Sequence, residues 1–137
     1  MRVHKRLKLG LDELELSPEI RRLAEKAFAE ADLNPEGSID SADRALLQLL
    51  KQTLGRELNS RTPDYVKNAV REVGAIWKSR LTEVEANTIR ILRNESARRE
   101  GRPTTSAARA CAFILIAVLR ATNPTRKRAG SEPGGIS

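Results

Sequence analysis

Histidine and cysteine are nearly missing from this chain, which holds one of each, His4 and Cys111. A single cysteine excludes a disulfide within the chain and any zinc site built on several thiolates. A single histidine, set in a basic N-terminal stretch, leaves no material for a His-based triad. Cys111 stands in an apolar run, surroundings that raise a thiol's pKa and keep it inert. No glycine-rich phosphate loop is present. These absences argue against an enzyme. Aromatic residues make up 3%, namely Phe28, Tyr65, Trp77 and Phe113. That disfavours single-stranded nucleic acid, which needs stacking platforms. It also leaves the core to Leu, Ile, Val and Ala, a supply that suits helices. The longest apolar run, residues 110–119 between Arg109 and Arg120, is about half of a membrane span. No apolar stretch of signal-peptide length follows the basic start Met1-Arg2-Val3-His4-Lys5-Arg6. The expectation is a soluble intracellular protein, cytoplasmic or nuclear, with a reduced thiol and no membrane insertion.

What the chain does have is charge. Its 137 residues carry a net +7, and they are 39% hydrophobic. The length suits one domain with one modest core. Arginine outnumbers lysine. The planar guanidinium suits phosphate recognition, although a GC-rich coding sequence produces the same bias.

Punctuation divides the chain into an all-α bundle of about four helices. Residues 1–16 change sign from basic to acidic and read as a flexible arm. Ser17-Pro18-Glu19 opens a helix with a cap, a first-turn proline and an acid. Ile20, Leu23, Ala24, Ala27, Phe28 and Ala31 then recur at helical spacing. Residues 34–40 read as a turn, and Asp40 or Ser41 is expected to cap a second helix carrying Leu46, Leu47, Leu50 and Leu54. Thr62-Pro63-Asp64 opens a third. Its stripe of Val66, Val70, Val73, Trp77, Leu81, Val84, Thr88 and Ile91 is nearly heptad. That predicts one long helix reaching Glu100, about 50 Å, with Gly74 as its weak point. Gly101-Arg102-Pro103 breaks the chain before a fourth, largely apolar helix over 104–122. An all-round apolar helix belongs in the centre or in an oligomer interface. Residues 123–137 read as a disordered basic tail. The expected domain is 17–122.

The sharpest local pattern is Asp32-Leu33-Asn34-Pro35-Glu36-Gly37-Ser38-Ile39-Asp40-Ser41-Ala42-Asp43. Oxygen-bearing groups fall at positions 1, 3, 5, 7, 9 and 12, with glycine at 6, which is calcium-loop spacing. The segment resembles an EF-hand, and more closely half of a dockerin module, whose loops continue similarly into a Leu-Leu helix. The resemblance implies calcium held by Asp32, Asn34, Glu36, the Ser38 carbonyl, Asp40 and Asp43. It covers about 25 residues. The sequence departs from the pattern at Pro35, at Arg44 and in having Asp43 at position 12, and no second loop follows. A helix-to-helix turn uses the same Pro, Gly, Asn and Asp.

Basic charge forms the second pattern. Lys67, Arg71 and Lys78 share a helical face, and Arg90, Arg93, Arg98, Arg99 and Arg102 extend the basic region toward the break. Such a stripe can track the phosphates of duplex RNA or DNA. Gly101-Arg102-Pro103 is similar to the minor-groove core of AT-hooks. A solvated helix face would carry the same residues. The leading expectation is therefore a non-enzymatic, self-associating nucleic-acid binder. The alternative is a calcium-binding, dockerin-like interaction module, and the third is a structural scaffold.

Overall fold

The computed structural model describes residues 11–98 and 103–122. Among these the protein is all-helical, with α1 (Pro18–Glu30), α2 (Pro35–Leu54), α3 (Tyr65–Trp77), α4 (Arg80–Ser96) and α5 (Thr105–Thr122). The expected helical class is present, but there are five helices instead of four, and no single long third helix exists.

Helix α1 starts as its sequence dictates. The Ser17 hydroxyl accepts the Ile20 amide at 3.3 Å, with Pro18 in the first turn. Helix α2 repeats the device six residues before Asp40, the nearer of the two expected caps. Asn34 accepts the Gly37 amide at 3.1 Å and Pro35 occupies the first helical position. Residues 35–40 are thus helix, not turn, because an Asx cap followed by proline is already a complete helix start. Gly55 ends α2 in the left-handed region at φ 70°, and its amide donates to the Lys51 carbonyl at 2.8 Å. Helix α3 begins after Asp64, which adopts φ 54° and gives no side-chain cap. Thr62 and Pro63 lie before the helix. Helix α5 starts where the sequence suggests, with the Thr104 hydroxyl accepting the Ala107 amide at 3.0 Å.

The expected long helix breaks at Lys78-Ser79. Lys78 is left-handed at φ 56°, its amide bonded to the Gly74 carbonyl at 2.8 Å. Ser79 then caps α4 by accepting from the Thr82 amide at 3.1 Å and the Thr82 hydroxyl at 2.9 Å. Gly74 is not the break. It lies buried inside α3, where a Cβ would meet the flexible side chain of Glu83 from α4. The fold-back also divides the apolar stripe. Val66, Val70 and Val73 are buried on α3, but α4 buries Thr82, Ala86 and Ile89 instead. Leu81, Val84 and Ile91 are left 70%, 55% and 60% exposed.

Helix α2 is central and packs on each of the other four. Alanines 24, 27, 42, 45, 86, 108 and 112 are buried, so the helix backbones approach closely. Phe28 is the only aromatic fully inside among the described residues. Helix α5 is long and apolar enough to cross a membrane by length and composition, yet seven of its residues are packed into this core. Part of the expected N-terminal arm is built in as well. Leu11 and Leu14 are buried, Arg21 pairs with Asp12, and Arg120 reaches Glu13 at 3.2 Å. The other arm residues, 1–10, and the tail from 123 onward lie outside the described residues.

Candidate nucleic-acid interface and the Asp43 cluster

The early start of α2 determines what becomes of the calcium-spaced residues. Asp32, before the helix, accepts a bond from Arg109 Nε of α5 at 2.7 Å, which holds that guanidinium still more firmly protonated. Asn34 is committed to its cap. Glu36 stands exposed in the first turn. Ser38 turns toward α1, its hydroxyl donating to the Ala27 carbonyl at 2.5 Å. Asp40 pairs with Arg44 at 2.9 Å. The six residues therefore point in different directions from a helix and its cap. Among the described residues no group of three or more His, Cys, Asp or Glu is placed to hold a metal.

Asp43, the last of them, goes inward. Its side chain is 3% exposed, with Arg90 of α4 at 2.6 Å and Arg93 at 3.8 Å. Oδ1 has no hydrogen-bond partner. Burial pushes the Asp43 carboxyl above its ordinary value, outweighing Arg90 and Arg93, which pull it down, while Asp40 adds slightly to the rise. Cys111 lies in the core nearby. Burial first, and the Asp43 charge second, push its thiol up to about 12, so at neutral pH it stays protonated and a poor nucleophile.

The ion pairs sort the basic residues. Arg90 and Arg93, expected on an outer basic face, are turned toward Asp43, and Arg98 pairs with Glu95 at 3.5 Å. Arg99 and Arg102 lie outside the described residues. Most other described cations have a carboxylate within reach, such as Arg56 with Glu72 and Lys51 with Glu57. Lys67, Arg71 and Lys78 are exposed and have no partner among the described residues. Lys67 and Arg71 stand one turn apart on α3, and Lys78 is the left-handed residue that closes the helix. Lys26 on α1, Arg61 in the loop before α3, and Arg80 at the start of α4 are exposed and also without a carboxylate in reach among the described residues.

Beside Lys67, a groove of about 420 Å³ runs between the start of α3 and α4. Tyr65, Lys67, Asn87, Arg90, Ile91 and Asn94 line it, with Asp64 and Val66 at its α3 end. It therefore offers one unpaired cation, Lys67, two amides that both donate and accept, one aromatic ring and the Asp64 carboxylate, while Arg90 is committed to Asp43. Comparison with protein-family models, curated proteins and solved structures finds no match to the chain.

Proposed function

We propose that the protein is a non-enzymatic binder of duplex nucleic acid, acting as a homo-oligomer, with Lys67, Arg71 and Lys78 as its principal phosphate contacts. The supporting observation is the sorting of charge. The other described cations are mostly neutralised by carboxylates, whereas Lys67, Arg71 and Lys78 carry no counter-charge among the described residues, and Lys67 borders a groove with amide and aromatic groups. Unpaired surface cations gain by releasing counterions from a phosphate backbone, a gain that cations already paired with carboxylates largely lack. Arg61 adds to this face, and Arg99 and Arg102 follow α4 in the chain. The lack of stacking aromatics favours double strands over single strands.

Fluorescence anisotropy on duplex RNA and duplex DNA over a salt series tests this. The triple variant Lys67→Ala, Arg71→Ala, Lys78→Ala should bind more weakly. Its salt slope should be shallower by about 0.9 for each phosphate that the variant no longer neutralises. Arg44→Ala, which removes a cation paired with Asp40, should leave the slope in place. Equal affinity and slope for the wild type and the triple variant would overturn the assignment of this face.

A further inference from the structure

We infer that the outward ridge of α4 joins two copies of this chain, paired antiparallel about a twofold axis beside Asn87 and Thr88. This deepens the homo-oligomeric part of the reading above and is read out without nucleic acid. Leu81, Val84, Thr88 and Ile91 follow one another at steps of three, four and three along α4, the spacing of a helix-pairing seam. The three aliphatic members are more than half exposed. The core-facing side of the same helix is a different one, built on Thr82, Ala86 and Ile89. A continuous apolar ridge on an otherwise charged small protein marks an interaction surface.

The order of residues along the ridge identifies the occupant. It runs Arg80, Leu81, Val84, Thr88, Ile91, Glu95. Measured from a point between Asn87 and Thr88, Val84 and Ile91 lie about 5 Å to either side, and Arg80 and Glu95 about 11 Å. A twofold rotation about that point sets Val84 against the partner's Ile91 and Arg80 against the partner's Glu95, twice over. Arg80 has no carboxylate partner among the described residues, and Glu95 meets only the exposed Arg98 at 3.5 Å. A parallel pair would instead set Arg80 on Arg80 and Glu95 on Glu95. A surface complementary to itself under twofold rotation is that of an isologous dimer. One 17-residue helix from each copy buries less than the roughly 1,200 Å² of a standard interface, which puts the pair in the weak, transient class.

Sedimentation equilibrium on the full chain tests the ridge and its register. Wild type should be dimeric at about 100 μM, a concentration that populates weak, transient dimers. Ile91→Glu should be monomeric there while keeping the helical circular dichroism of wild type. Arg80→Glu and Glu95→Arg should each weaken the dimer by about ten-fold, and the double variant, which swaps the charges, should recover wild-type affinity. A monomeric wild type would overturn the homo-oligomeric reading itself. A dimer indifferent to Ile91→Glu would place self-association on another face. Two weakened single variants without recovery in the double would overturn the antiparallel register. None of these results bears on whether Lys67, Arg71 and Lys78 contact phosphate.

Discussion

Removing Arg90 should cost more stability than any other single exposed-to-half-buried charge in the bundle, and the cost should depend on pH. In the wild type, Asp43 is 3% exposed, with its strongest partner, Arg90, at 2.6 Å and Arg93 further off at 3.8 Å. Arg90→Ala leaves a carboxylate in the core with only the weaker cation. Breaking a buried pair from one side costs about 3–5 kcal/mol. Because Arg93 remains, the lower end applies, about 3 kcal/mol at pH 7. For a chain of this size that lowers Tm by about 10–15 °C. The sign of the pH effect follows from the raised carboxyl. A folded-state pKa above the unfolded value means that the folded protein binds the proton more readily. Its stabilising contribution is full below the unfolded pKa and is lost as pH rises through the folded one. Arg90→Ala removes a group that lowers this pKa, so the variant loses more over that rise than wild type does. Thermal unfolding by circular dichroism at about pH 4 and about pH 7 should show the gap between variant and wild type wide at neutral pH and narrow in acid. Asp43→Asn, with nothing to titrate, should flatten the Asp43 part of the profile. A gap below about 1 kcal/mol at pH 7, or an equal gap at both pH values, would refute the account.

Three further outcomes follow from the geometry. Gly55→Ala should destabilise by about 1 kcal/mol in urea unfolding, because φ 70° is strained for any side chain even with open space around it. Cys111, buried with its thiol pushed up to about 12, should react with a disulfide reagent at neutral pH only as fast as the protein opens; rapid labelling of the folded state would contradict its placement. Calcium titration by calorimetry should give no binding heat, since coordination by Asp32, Asn34, Glu36, Asp40 and Asp43 would require unwinding the start of α2 and separating Asp43 from Arg90; a heat abolished by Asp32→Ala would establish the calcium loop.

The parts of this fold that were legible in the sequence are those written in local chemistry. Ser17-Pro18, Gly55 and Pro103-Thr104 mark helix ends because caps and breakers act on neighbours three or four residues away. The one-turn spacing of Lys67 and Arg71 on α3 was legible for the same reason, but the place of Lys78 at the left-handed end of that helix was not. The break at Lys78-Ser79 was not. The apolar stripe continues through it, and a left-handed lysine leaves no compositional mark. What decides the break is that folding back lets Val66, Val70, Val73, Ala86 and Ile89 share one core, a tertiary gain that periodicity cannot weigh. The inward turn of Arg90 was hidden likewise, since its partner lies 47 residues earlier. The spacing of 32–43 pointed to a loop, but the same residues include the cap and proline of a helix start.

The short segment at Leu11–Leu14 has a consequence for how the protein is made. It is inserted among α1 and α5, and one of its ties, Glu13 to Arg120, spans 107 residues. Helices α1 and α2 can meet early in synthesis, since they are joined by only four residues. The seat of Leu11 and Leu14 is complete only when α5 has been made. Leu11 and Leu14 therefore settle after the helices that follow them, and the nascent bundle carries exposed leucines ahead of α1 until α5 leaves the ribosome.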